Sequence, residues 1–146
     1  VQLLAGQGGR LFLELRDRRS LAYTVSANNS EGIAPGNFTV YIATAPEKLD
    51  EARAGMFEEL EKLIQQPPSD EELERAKRYL IGNHAIGLQR NAAHAGLISL
   101  NALYGLGPDA DRAFPERVAA VDKGAVLRVA QRIIDLDTYT LAVVRP

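Results

Sequence analysis

The sequence predicts an α+β domain: an antiparallel sheet with helices packed on one face. Three observations carry this reading. Two stretches of alternating apolar and polar residues lie close together, at 21–28 and 37–44, joined by a short Gly/Pro-bearing link. Helical periodicity then runs, with interruptions, from Pro46 to about Ile134. A last alternating stretch, Thr138 to Val144, closes the chain. Strands first and helices after them suit layers of helix on an antiparallel sheet.

The 146 residues fit one domain, 1–146, with enough chain to bury a core. The opening run Val1-Gln2-Leu3-Leu4-Ala5 reads as the last turn of a helix begun earlier, so the domain is expected to be incomplete at its N-terminus. Gly6-Gln7-Gly8-Gly9 breaks that turn. A helix follows from about Arg10 to Arg19, with Leu11, Phe12 and Leu15 on one face. In the first strand Tyr23, Val25 and Ala27 are expected to point one way, and Thr24, Ser26 and Asn28 the other. Asn28 to Gly32 and Ala34-Pro35-Gly36 supply the turn, and Phe38, Val40 and Ile42 share a face of the second strand.

Pro46 suits the first turn of a helix reaching Gln66, whose buried stripe is Leu49, Ala52, Met56, Leu60 and Leu63. Pro67-Pro68 ends it. Ser69 and Glu72 form a capping box for the next helix, supported by i,i+4 pairs Glu71–Arg75 and Glu74–Arg78. That pattern continues towards Leu103, with a bend or break expected near Gly82, Gly87 or Gly96. A short helix is expected over Ala113 to Val121. Asp122 then caps a final helix with Val126, Val129, Ala130, Ile133 and Ile134 as its buried stripe. The strand at 138–144 is expected to join the same sheet.

Composition excludes some functions. Net charge is −2, from 17 basic and 19 acidic side chains, which gives no broad electrostatic case for nucleic acid or an anionic membrane. No apolar run approaches the ~20 residues of a membrane span. With no cysteine there is no disulfide, thiolate metal site or thiol nucleophile. Zinc hydrolysis needs converging ligands and a carboxylate base. His84 and His94 are the only histidines, and ten residues of continuous helix would hold them about 15 Å apart, too far for one ion. No metal site is therefore expected within the chain. Gly6, Gly8 and Gly9 lack the Lys and Ser/Thr of a phosphate loop, and the acidic pairs Asp70/Glu71 and Asp109/Asp111 read as solvated caps and loops.

Arg16 and Tyr23 stand seven residues apart across the first helix-to-strand joint. A guanidinium can hold a carbonyl or carboxylate in fixed geometry, and a phenol can donate to a developing oxyanion. By residue type alone, an arginine paired with a nearby carboxylate and a tyrosine packed on the sheet explains them better than a site does.

Residues 8–23, from Gly8-Gly9-Arg10-Leu11-Phe12 through Glu14-Leu15-Arg16 to Ser20-Leu21-Ala22-Tyr23, resemble a hallmark of the pitrilysin/insulinase-type zinc peptidases, including the mitochondrial processing peptidase branch. The run Ser69 to Lys77 and the close from Asp135-Leu136-Asp137 to Val144 are also similar to that family. The resemblance implies the non-zinc, C-terminal, substrate-binding half of a clamshell endopeptidase that cleaves peptides or small proteins in an enclosed chamber. It implies zinc bound by the other half, or by a partner subunit, through an inverted His-x-x-Glu-His motif and a distant Glu. It also implies Arg16 and Tyr23 as catalytic-site residues contacting the peptide near that metal, Arg16 orienting the peptide and Tyr23 stabilising the tetrahedral intermediate. The glycine-rich segment has been linked to substrate handling in some members. The implied partners are a peptide substrate and the zinc-binding half, in the bacterial cytoplasm or periplasm, and the chain alone is expected to be inactive. The alternative within the same fold is a structural subunit like the core proteins of the respiratory cytochrome bc1 complex.

Overall fold

Residues 1–32 and 34–145 are described by a computed structural model. A single helical turn, α1 (Gln2–Ala5), leads through the glycine bend into a π-helix, Phe12–Arg18. Strands β1 (Ala22–Ser30) and β2 (Asn37–Thr44) pair antiparallel, with Val25 opposite Ile42 and Ala27 opposite Val40. A 3₁₀ turn, Pro46–Lys48, opens α2 (Leu49–Gln65). Then come α3 (Asp70–Gly87), α4 (Asn91–Leu103), a 3₁₀ turn at Ala110–Ala113, α5 (Phe114–Ala119) and α6 (Lys123–Ile133).

The core lies between the sheet, the π-helix and α2. Leu4, Leu11, Leu15, Leu21, Val25, Ala27, Ala52, Met56, Leu60 and Leu63 are buried in it, with Ala130 of α6. Leu49 of the expected stripe is only half-buried. On α6, Ala130 is buried and Val126 and Ile134 pack against the core, while Val129 and Ile133 are exposed. Gly55 lets α2 approach the π-helix, because a Cβ there would stand 2.6 Å from Leu15 Cδ2.

The helix boundaries follow local chemistry. Ser69 and Glu72 make the reciprocal capping box, with Ser69 Oγ accepting from the Glu72 N–H at 3.1 Å and Glu72 Oε2 from the Ser69 N–H at 2.8 Å. Asp122 accepts from the Ala125 N–H at 2.6 Å and caps α6. The long helical pattern breaks after Gly87, one of the three expected places. Of the expected i,i+4 pairs, Glu71–Arg75 is loose at 3.9 Å, and Glu74 pairs with Lys77 at 3.0 Å in place of Arg78.

The stretch 138–144 departs from expectation. Among the described residues the sheet has two strands, and this stretch is not one of them. Alternation sets which faces a segment could show; it does not supply a hydrogen-bonding neighbour. Asp135 Oδ1 accepts from the N–H groups of Asp137 and Thr138 at 2.9 and 3.0 Å, which turns the chain. Tyr139 then packs on Phe57 of α2, ring centroids 5.0 Å apart.

The glycine bend is clamped to the first turn of α3. Arg10 donates twice to Glu72, Nε to Oε1 at 2.7 Å and NH2 to Oε2 at 3.2 Å, and Arg75 donates to the Gly8 carbonyl at 2.7 Å. Gly9 admits no side chain, since a Cβ would lie 2.5 Å from the Leu4 carbonyl. The Arg10 guanidinium, helped by the Ser69 N–H and opposed by desolvation, holds the Glu72 carboxyl down from 4.5 to about 2.

Two stability experiments follow. Leu60→Ala should cost about 2–5 kcal/mol in denaturant unfolding if the core is as described. A carboxyl whose folded pKa is depressed stabilises above its ordinary value and loses that contribution as it protonates. The Glu72 contribution should thus be complete above pH 4.5 and vanish as pH falls towards about 2. Glu72→Gln should flatten the acid limb of a stability–pH profile by about 1–2 kcal/mol, reduced from the full linkage value because the pair is partly solvated. An unchanged acid limb would deny the clamp its stabilising role.

Candidate functional site

The joint between the π-helix and β1 brings the two expected residues together. The Leu13 N–H bonds to the Gly9 carbonyl four residues back, at 3.0 Å, but the Arg19 N–H bonds five back to Glu14, at 3.0 Å. That wider winding is rare and often found at functional sites. It ends at Ser20, whose φ of 51° is the one positive value at a non-glycine among the described residues. Left-handed backbone at a helix end reverses the chain, and the Leu21 N–H then reaches the Leu15 carbonyl at 2.7 Å. Two side chains pin the turn: Lys48 Nζ donates to the Ser20 carbonyl at 3.0 Å, and Thr44 Oγ1 to the Leu21 carbonyl at 2.6 Å.

Strand β1 begins with a bulge. Ala22 faces Thr44 and Thr24 faces Ala43, so Tyr23 is the extra residue between them. This corrects the expected alternation. Val25 and Ala27 point into the core as read, but Tyr23 is 83% exposed, because the bulge breaks the period just before them.

The Arg16 guanidinium carbon lies over the Tyr23 ring, 5.1 Å from its centroid, and over the Phe12 ring at 4.6 Å. Arg16 is half-buried, and among the described residues no carboxylate pairs with it. Asp17, next in sequence, is exposed and makes no ion pair with it among the described residues, and Glu14, two residues back, is taken by Arg18 at 2.9 Å and Arg19 at 3.2 Å, while Arg19 also reaches Glu58 of α2 at 2.8 Å. Hydrogen bonding to Arg18 first, and to Arg19, holds the Glu14 carboxyl below its ordinary range, against desolvation. The bland alternative, an ion-paired Arg16, is thereby not what the structure shows. What results is a cation with its N–H donors uncommitted to a carboxylate, beside an exposed phenol.

Sequence reading placed Phe12 only in the core-facing stripe. Its spacing of four from Arg16 is the signal that could have marked the pair. The wide winding and the bulge left no comparable mark.

The histidines lie elsewhere. His84 Nε2 is 2.9 Å from Asp111 Oδ2, and its ring stacks on Phe114 with centroids 4.1 Å apart, so it docks the 110–119 segment on α3. His94 is exposed on α4. Among the described residues no three His, Asp or Glu side chains converge as a metal-ion site would require.

A family model described as the peptidase M16 inactive domain matches residues 1–80, more than half of the chain. The chain belongs to this family. The match includes the glycine bend, the π-helix, the bulged strand and the clamp on α3. An uncharacterized zinc protease of Rickettsia bellii is 31% identical over the whole chain, which spans 36% of that protein. One of Rickettsia felis is 33% identical over 69% of the chain, which spans 26% of it. The chain thus covers about a third or less of these relatives. Among solved structures, a peptidase M16 inactive domain from Pseudomonas fluorescens superposes with a TM-score of 0.84 at 24% identity, over 93% of this chain and 33% of that one. A protease from Helicobacter pylori gives 0.72 at 20% identity, over 90% and 32%. At these identities the structures show the shared α+β fold of M16 inactive domains.

For this M16 inactive domain we expect no stoichiometric zinc by elemental analysis of the chain alone, and no peptide hydrolysis by it. Zinc held through both His84 and His94, and lost on mutating either, would contradict the arrangement described.

Proposed function

We propose that this domain is the substrate-binding, C-terminal half of a zinc-dependent endopeptidase. Its zinc, His pair and Glu base are supplied by the other half, in the same chain or a partner subunit. The substrate is an extended peptide or small protein enclosed between the halves, where water is excluded from the reacting bond. The observation that carries this reading is the convergence of Arg16 and Tyr23, with the tyrosine exposed and, among the described residues, no carboxylate holding the arginine. A scaffold needs no such pair. The family and the zinc-protease relatives supply the chemistry that such a pair would serve.

In this reading the Arg16 guanidinium donates to a peptide carbonyl and fixes the chain's register. The Tyr23 hydroxyl donates to the carbonyl oxygen that becomes negative as water adds to the peptide carbon and makes it tetrahedral. A donor aimed at that oxygen stabilises the transition state more than the ground state. The exposure of Tyr23 on this domain is what a group completed by a facing half requires.

The test uses the full enzyme with its zinc half. Tyr23→Phe should lower kcat by about 10²–10³-fold with little change in stability, the loss of one oxyanion donor. Arg16→Ala should raise KM as well as lower kcat. A Tyr23→Phe enzyme with unchanged kcat/KM would leave the domain a structural subunit of the same fold.

A further inference from the structure

We infer that Phe12 is a positioning residue for this site: its ring, fixed by the core, holds the Arg16 guanidinium, which in turn holds the ring of Tyr23. The inference rests on the proposed role of Arg16 and Tyr23 and adds what places them.

The argument begins with what Arg16 lacks. Arginines elsewhere in this region are placed by acids: Arg10 by Glu72, Arg18 by Glu14, and Arg19 by Glu14 and Glu58. Among the described residues Arg16 has no such partner. A long side chain with no partner samples many rotamers and loses that freedom on binding substrate. A carboxylate would place it but would also occupy its donors and compete with the peptide carbonyl. An aromatic face places a cation without accepting its in-plane hydrogen bonds.

Two rings are available, and they are not equivalent. Tyr23 is 83% exposed on a bulge and has little of its own to hold it. Phe12 is partly buried and packs against the core cluster, and its ring is the nearer, at 4.6 Å against 5.1 Å. Order therefore passes from the core to Phe12, from Phe12 to Arg16, and from Arg16 to Tyr23. The π-helix contains both Phe12 and Arg16. Leu11 and Leu15, fully buried, fix its rotation, and this sets the adjacent pair 12 and 16 at the rim of the core. Glu14 is drawn off by Arg18 and Arg19 and so does not compete for Arg16, and among the described residues the exposed Asp17 makes no ion pair with it.

The experiment compares Phe12→Leu, Phe12→Tyr, Arg16→Ala and the Phe12→Leu/Arg16→Ala double variant in the full enzyme with its zinc half. Each is assayed for kcat and KM on a peptide substrate and for thermal unfolding. Phe12→Leu keeps an apolar group in the core and removes the ring. It should lower kcat/KM by about 3- to 30-fold, with KM raised as well as kcat lowered. Phe12→Tyr should retain activity. In the Arg16→Ala background Phe12→Leu should cause no further loss, because the two act in one chain of contacts. A loss that is merely structural would follow the fraction unfolded, leave KM unchanged and add in the double variant; that pattern overturns the inference. A second readout is the Arg16 Nε–Hε resonance of arginine-labelled enzyme, assigned by its disappearance in Arg16→Lys. Its ring-current shift should vanish in Phe12→Leu and persist in Phe12→Tyr, and an unmoved resonance in Phe12→Leu overturns the inference. If Arg16→Ala leaves kcat/KM unchanged, the reading of the site fails and this inference with it. If Arg16→Ala is impaired and Phe12→Leu is not, the inference alone fails.

Discussion

Everything at the candidate site depends on the burial of two leucines. Leu11 and Leu15 are without solvent exposure, and Leu15 is pressed against α2 where Gly55 carries no side chain. Close packing of this kind leaves the helix no freedom to rotate or slide. Once those two side chains are seated, the neighbours of each in sequence, Phe12 and Arg16, can emerge only at the margin of the core. The site is thus a by-product of core packing, and its accuracy is inherited from the most rigid part of the domain.

The electrostatics of the same helix are arranged around that margin. Three arginines crowd residues 16–19 with the exposed Asp17 among them, and two of the arginines claim the half-buried Glu14. Glu58, from α2, satisfies the remainder of Arg19. Surface ion pairs of this sort contribute little to stability. Their effect here is distribution: carboxylate is consumed on one side of the helix, and the cation on the other is left with donors to offer. At the far end of the same segment the bidentate Arg10–Glu72 pair and the Arg75–Gly8 bond hold the glycine bend to α3, so the π-helix is tethered where it begins as well as where it ends.

Much of this was legible from the chain. Both strands of the hairpin, the Ser69 capping box, the Asp122 cap and the stripe on α2 follow from spacing and side-chain chemistry that act over a few residues. The pairing of residues 16 and 23 was legible only through family resemblance, since a turn of unknown geometry lay between them. What escaped were features set by contacts distant in sequence. The wide helical winding and the bulge at Tyr23 are adjustments to packing, and no residue pattern announces them. The segment 138–144 shows the converse error: its alternation is that of a strand, but a strand exists only where another backbone lies alongside. The partner of Glu74 likewise depended on rotamers that spacing does not specify.

The bulge in β1 has one more consequence. A residue within a regular strand serves two masters, since its side chain's direction is tied to that of every neighbour two places away. Tyr23, as the supernumerary residue, is released from that bond: Val25 and Ala27 keep their places in the core whatever stands at 23. The position is therefore open to variation at little cost to folding, as exposed sites generally are. What the side chain at this point of the chain does and the integrity of the sheet beneath it can change independently, and a lineage could gain, lose or retune the one without renegotiating the other.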